Sequence, residues 1–154
     1  MTDTRPTTVF ERVWNNRKEL LFRSDRHEVL AAVDIKPKFP LQVVVALRYG
    51  TPGERADFDA LPSYMKKRLH TVADFLGQKI LANCTEEQRV IRHTEGFGVP
   101  DHPHITLFAA ERGQGKDLYN GEPLGLEVVE NTLKVLKFTD TQPAELEAEL
   151  GQIY

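Results

Sequence analysis

A chain of 154 residues fits one domain and is long enough to bury a hydrophobic core. Its net charge of −3 gives no electrostatic case for nucleic-acid binding, and its single cysteine, Cys84, excludes an internal disulfide and a Cys-x-x-Cys zinc site. No signal peptide is recognisable, and no apolar run approaches the roughly 20 residues of a membrane span. We therefore expect a cytoplasmic protein that binds neither nucleic acid nor a membrane.

The first 48 residues predict one short helix followed by three strands. Phe10, Val13 and Trp14 recur at helical spacing, which predicts an amphipathic helix over about 8–16. Strand-like runs follow at 19–23, 28–35 and 41–48. The last run is preceded by a proline-rich turn at 36–40, and its three consecutive valines favour a central strand covered on both faces.

The clearest helix is predicted over about 62–82, where Pro62 suits the first turn. A stripe of apolar residues recurs there every three or four positions and would face the core. Its members are Met65, Leu69, Val72, Leu76 and Ile80. His70 lies off this stripe, so we expect it in solvent at the surface. A short strand at 90–93 and a glycine-punctuated turn at 94–98 follow.

Two of the five histidines lie two residues apart in the next run. Side chains alternate along a strand, so His102, His104 and Thr106 would line one face and the apolar residues between them the other. Those apolar residues are Ile105, Leu107 and Ala109. A polar row backed by an apolar row predicts a functional surface mounted on a core. This strand and the one before it are expected to pair as a β-hairpin.

The C-terminal part predicts two further helices from two apolar stripes. The first stripe is Leu126, Val129, Leu133 and Leu136, and the second is Leu146, Leu150 and Ile153. Asp140 or Thr141 would cap the second helix before Pro143. The element order predicts a single α+β domain over 1–154, with an antiparallel sheet of about five strands, one long helix and a C-terminal helical extension.

Several segments in sequence order carry a resemblance to a known family. A strand ends in Asp34-Ile35-Lys36-Pro37 and is followed by a turn and a valine-rich strand. The long helix, the Thr94-Glu95-Gly96 turn and the His102-x-His104 strand then come in order. In these features the chain resembles the histidine triad family over about residues 10–110. The remainder, 111–154, has no place in the resemblance.

The resemblance implies a nucleotide hydrolase or nucleotidyl transferase whose partner is a nucleotide, with no cofactor and no metal. His104 would be the nucleophile that attacks the α-phosphate, because neutral imidazole is nucleophilic at physiological pH. His102 would help to position the nucleophile or the phosphate. Asp34 stands where the family binds the ribose hydroxyls, and Thr94 where an asparagine often lies near the phosphate. Backbone donors to the phosphate oxygens would come from Gly98 and Val99.

Departures from the family pattern leave the activity open. Thr106 stands where the third histidine belongs, and it can donate a hydrogen bond but carries no charge. Gln42 stands where many members have a further histidine, and the usual proline is missing at Ala46-Leu47. The His102-Pro103-His104 segment is nevertheless similar to that of the galactose-1-phosphate uridylyltransferases, which do without the third histidine. An active enzyme and a catalytically silent nucleotide-binding or interaction protein both fit this pattern.

Two other interpretations use the same residues. The run 104–107 is similar to the His-x-Thr-x motif of the two-histidine phosphoesterases, but this chain has no second copy. His102 and His104 with Asp101 could suggest a metal site, but no third protein ligand is visible nearby, so we expect no metal. The family resemblance also implies a homodimer in which strands of two copies extend one sheet. The segment after Arg112 would then contribute to the interface or cover the site.

Overall fold

A computed structural model describes residues 9–15, 18–48, 58, 61–94, 102–111 and 122–153. In chain order the elements are α1 (Val9–Asn15), β1 (Leu20–Ser24), β2 (Val29–Val33), β3 (Val43–Leu47), α2 (Ser63–Ala82), β4 (Gln88–His93), β5 (His104–Glu111), α3 (Leu126–Leu136) and α4 (Gln142–Leu150). The predicted α+β class with a sheet of about five strands is confirmed.

The strand order of the sheet is β1-β2-β3-β5-β4, and each neighbouring pair is antiparallel. The valine-rich strand β3 lies at the centre, as its composition predicts. Strands β4 and β5 pair as the predicted hairpin. β1 and β4 form the two edges of this sheet. Extension of an edge by a second copy of the chain stays a prediction.

The sheet separates a large core on one face from two small apolar clusters on the other. The large core lies between one face of the sheet and helices α2, α3 and α4. On the other face the apolar side of α1 packs against alternate residues of β2 and β3. Phe10, Val13 and Trp14 contact Leu30, Ala32 and Ala46 there. The molecule is thus layered, with the sheet between α1 and the remaining helices.

Helix α2 buries the stripe that its sequence predicts. It begins directly after Pro62, and Leu69, Val72, Leu76 and Ile80 are fully buried against the sheet. Burial of this stripe removes a continuous apolar strip from water, which is the main force that holds a helix to a sheet.

The prediction that His70 is a solvated surface residue is wrong. Its ring is half-buried and meets the Phe58 ring edge-on, with 5.4 Å between centroids. Its Nδ1 is 3.0 Å from a guanidinium nitrogen of Arg92, which also binds Asp74 at 2.7 Å. The helical stripe alone does not reveal this, because Arg92 comes from β4 and reaches α2 only in the folded chain.

Helices α3 and α4 confirm the predicted C-terminal helices, but Ile153 of the second stripe lies beyond the end of α4, and Thr141, at its N-cap, makes no capping hydrogen bond with its side chain. Val129 and Leu136 of α3 and Leu146 and Leu150 of α4 enter the large core. Leu126, however, is 70% exposed, because it is the first residue of α3 and the apolar stripe extends past the core at that end. Both helices lie on the α2 side of the sheet, opposite the histidines, so the described part of the C-terminal segment does not cover them.

No helix in the described ranges is long and apolar enough to cross a membrane. The longest helix, α2, has its apolar stripe on the side that faces the sheet and carries lysine, arginine and aspartate on the side that faces away from it.

Replacing one buried leucine of α2 tests the packing. We expect Leu76→Ala to lower the free energy of unfolding by about 2–5 kcal/mol, because it leaves a cavity in the large core. The matched control is Leu81→Ala, which removes a 54% exposed side chain from the same helix and should change stability by less than about 0.5 kcal/mol. Urea unfolding followed by circular dichroism measures both, and equal losses would contradict this placement of α2.

Candidate functional site

The candidate site lies on the sheet face that α1 covers. Alternation along β5 places His104 and Thr106 on this face, and the β3 residues opposite them are Ala46 and Val44. Asp34 follows β2, and its backbone N–H donates to the carbonyl of Gln42 at 3.1 Å, which continues the β2–β3 pairing by one step. Asp34 therefore shares the face with the histidines, two strands or about 10 Å across the sheet from β5.

His104 is held in one defined tautomer. Its Nδ1 lies 2.8 Å from the backbone carbonyl oxygen of His102. A carbonyl oxygen only accepts hydrogen bonds, so Nδ1 must be the protonated nitrogen of the neutral ring. The lone pair then resides on Nε2. This arrangement gives His104 the nucleophilic nitrogen at the far end of the ring, with its orientation fixed by backbone two residues away.

His102 ties the start of β5 to the end of β3. Its Nε2–H donates to the carbonyl oxygen of Leu47. Burial lowers the pKa of His102 to about 4, although the bond to Leu47 opposes that shift and the neighbouring His104 adds to it. The ring is therefore neutral at physiological pH. Its contribution is positional, since it anchors the segment whose carbonyl orients His104.

Helix α1 lies directly over both histidines. The Phe10 ring centroid is 4.7 Å from that of His102 and 5.1 Å from that of His104. The exposed fractions of the two histidines are only 1% and 2%. The sequence does not signal this cover, because the apolar residues of α1 could equally have joined the larger core.

Trp14 anchors α1 in this position. The guanidinium groups of Arg23 and Arg48 lie 5.1 and 4.8 Å from the centre of its ring, within the range of cation–π attraction. Arg23 also donates a hydrogen bond of 3.1 Å to the Trp14 carbonyl near the end of the helix. The cover is thus attached to β1 and to the end of β3 as well as to the histidines.

Gln42 fixes Asp34 and the turn between β2 and β3. Its amide N–H donates to Asp34 Oδ2 at 2.8 Å, while its Oε1 accepts from the backbone N–H groups of Lys38 and Phe39 at 2.9 and 3.1 Å. The other Asp34 oxygen accepts from the N–H of Lys36 at 2.9 Å. Gln42 thus bridges this turn and holds Asp34, a role that sequence reasoning missed.

The remaining predicted residues lie at one end of the β4–β5 hairpin or outside the described ranges. Thr94 comes directly after β4 and is half-buried. Gly98 and Val99 lie outside the described residues. His93, to which the sequence analysis assigns no role, is the cross-strand partner of Thr106 and faces the same side of the sheet. The predicted hairpin already pairs these two strands, but the residue that lies opposite Thr106 follows only from their register.

Within the described ranges, no group of three or more His, Cys, Asp or Glu side chains could hold a metal ion. Cys84 is half-buried after α2, and burial raises the pKa of its thiol. The described polar residues of the α1-covered face carry imidazole, carboxylate, amide and hydroxyl groups.

An α+β domain with this strand order and a His-x-His pair at the start of a strand beside the central one has a histidine-triad-like fold. Three solved structures that it resembles span nearly the whole chain. The first is a Hit-like protein involved in cell-cycle regulation from Bartonella henselae, with 16% identity and a TM-score of 0.61 over 88% of this chain and 98% of that chain. The second is a hypothetical histidine triad nucleotide-binding protein from Sulfolobus tokodaii, with 16% identity and a TM-score of 0.54 over 92% of this chain and 93% of that chain. The third is a zinc-bound histidine triad family protein from Mycobacterium smegmatis, with 15% identity and a TM-score of 0.54 over 93% of this chain and 97% of that chain.

At these identities the likeness is one of fold. It extends beyond residues 10–110, which carry the sequence resemblance, because the matches cover 88% or more of this chain. No protein-family model matches the sequence, and no curated protein is similar to it.

The buried state of His102 predicts a pH dependence of stability. Since its pKa falls from 6.5 in the unfolded chain to about 4 in the folded protein, its stabilising contribution is complete above pH 6.5 and is lost as the pH falls towards 4. We expect wild-type protein to lose about 3 kcal/mol more between pH 7 and pH 4 than His102→Gln does.

Urea titrations of both proteins at the two pH values measure this difference. The variant is the control for the carboxylates and the other histidines, whose titration it leaves in place. Identical pH dependence in the two proteins would show that His102 is not buried as described.

Proposed function

We propose that the chain is a histidine-triad-like nucleotide hydrolase or nucleotidyl transferase. The observation that carries the proposal is the bond from His104 Nδ1 to the carbonyl of His102, which leaves the lone pair of the ring on Nε2. Solved structures of the same fold from Sulfolobus tokodaii and Candida albicans are described as histidine triad nucleotide-binding proteins, which supports a nucleotide as the ligand.

In the proposed reaction, Nε2 of His104 attacks the α-phosphorus of the nucleotide. A nitrogen–phosphorus bond forms, and the bond from phosphorus to the leaving group breaks. The leaving group takes the electron pair and then a proton. Water, or a second acceptor hydroxyl, next attacks the same phosphorus, loses its proton and returns the electron pair to His104.

The other predicted site residues have proposed binding roles. The Asp34 carboxylate would accept hydrogen bonds from the ribose hydroxyls, and the Gln42 amide already holds it in place at 2.8 Å. Thr94 and the backbone of Gly98 and Val99 would bind phosphate oxygens. Thr106, which follows His104 on this face of β5, would donate a hydrogen bond without adding charge.

Access to His104 requires a movement of α1. Phe10 lies over both imidazole rings, and a nucleotide phosphate cannot approach Nε2 while that contact persists. Helix α1 has seven residues, so its attachment depends on a few side chains rather than on a long interface. We propose that nucleotide binding displaces Phe10 and takes its place over the histidines.

A catalytically silent nucleotide-binding protein is the second candidate. The observations that favour it are the near-complete burial of His104 and the hydroxyl at position 106 in place of an imidazole. The two candidates differ in turnover and share nucleotide binding, so one set of measurements separates them.

The test uses adenosine 5′-phosphoramidate hydrolysis together with calorimetric titration of AMP. We expect wild-type turnover, and we expect His104→Ala to lower kcat by about 10³-fold or more because the nucleophile is lost. AMP binding should change only a few-fold in this variant. The matched control is His70→Gln, which replaces a histidine on the opposite side of the sheet and should keep full turnover.

Each outcome decides between the candidates. Wild-type binding of AMP without turnover establishes the silent nucleotide-binding protein. Turnover that survives in His104→Ala contradicts the assigned nucleophile. Absence of both binding and turnover with adenosine and guanosine nucleotides contradicts the proposed function as a whole.

A further inference from the structure

The imidazole that position 106 lacks is present on the neighbouring strand. We infer that His93 of β4 supplies the third imidazole of the site and binds a non-bridging oxygen of the α-phosphate, an inference that rests on the proposed function. His93 and Thr106 together would then occupy the space that a single histidine fills in a three-histidine motif.

The register of the hairpin places His93 beside Thr106. Arg92 pairs with Leu107 and His93 with Thr106. Directly opposite residues of an antiparallel pair project from the same face, with Cβ atoms about 4.5–5.5 Å apart. His104 lies two residues before Thr106, so it is the diagonal neighbour of His93, at roughly 7–8 Å between Cα atoms. The His93 ring leans towards Phe108, the other diagonal neighbour, so contact of both imidazoles with one phosphate requires the His93 ring to turn towards His104.

Aromatic stacking holds the His93 ring on this face. The ring lies nearly parallel to that of Phe108, at 15° and 5.7 Å between centroids. Phe108 stacks in turn on Phe39, at 15° and 4.3 Å. This series of three rings runs from β4 across β5 to the turn that Gln42 holds, so it links His93 to the part of the sheet that carries Asp34.

His93 also differs from the other histidines in what surrounds it. It is half-buried, whereas His102 and His104 lie beneath Phe10. His27 packs towards Glu147 of α4 at 3.6 Å, and His70 contacts Arg92 on the α2 side. Among the five histidines of the sequence, His93 is thus the one on the α1-covered face that remains partly open to solvent.

Neither His102 nor Thr106 offers the phosphate a hydrogen-bond donor that can carry positive charge. His102 is neutral because burial lowers its pKa to about 4, and its Nε2–H is used on Leu47. Thr106 offers a hydroxyl, which donates one hydrogen bond and no charge. An imidazole can donate a hydrogen bond to the phosphate and can carry positive charge against the charge that develops on it during attack.

The experiment compares wild type with His93→Phe, with His93→Thr and with the exchange variant His93→Thr/Thr106→His. His93→Phe keeps an aromatic ring to stack on Phe108 but removes the N–H donor. We expect it to lower kcat/KM for adenosine 5′-phosphoramidate by about 10–100-fold, with thermal stability within a few degrees of wild type. The exchange variant moves the imidazole one strand across, and we expect kcat/KM within about fivefold of wild type.

The outcomes separate this inference from the proposed function. Full turnover in His93→Phe, or an exchange variant no better than His93→Thr alone, overturns the role of His93 and leaves the proposed function standing. Wild-type protein that neither binds AMP nor turns over substrate overturns both. If wild type binds AMP without turnover, AMP affinity of the same variants is the readout, with a loss in His93→Phe and recovery in the exchange variant expected.

Discussion

The position of β5 between β3 and β4 is the constraint on which this molecule depends. Because β5 pairs with β3 on one side and with β4 on the other, both pairings fix its register. Each side chain of β5 therefore projects from one definite face of the sheet. Ile105 and Leu107 enter the large core, while His104 and Thr106 face α1. A slip by one residue would put imidazoles into the core and isoleucine and leucine under Phe10. The core therefore enforces the geometry of the histidine face.

Two hydrogen bonds at the start of β5 fix the positions of the histidines and the tautomer of His104. The His102 side chain anchors the strand to the Leu47 carbonyl, and the His102 carbonyl sets the tautomer of His104. Both contacts are protected from water by Phe10, which strengthens them and closes the face at the same time. The same helix thus stabilises the arrangement of His104, the proposed nucleophile, and covers its ring.

Much of this architecture follows from local sequence pattern, and the rest depends on contacts between distant segments. The stripe of α2 and the alternation of β5 are periodic, so they predict a buried helix face and a two-faced strand. The cover by Phe10, the contact of His70 with Arg92 and the pairing of His93 with Thr106 have no periodic signal. They depend on which segment packs where and in which register. Leu126 is the opposite case: it belongs to the regular apolar stripe of α3 but lies outside the core that this stripe was expected to join.

The central claim is that the face of the sheet that carries His104 binds the phosphate of a nucleotide. A crystal structure of the protein with AMP tests it most directly. The account predicts the α-phosphate within hydrogen-bonding distance of His104 Nε2, the ribose hydroxyls at Asp34, and Phe10 displaced from the imidazole rings. AMP bound elsewhere, with Phe10 still in contact with His102 and His104, would contradict the account.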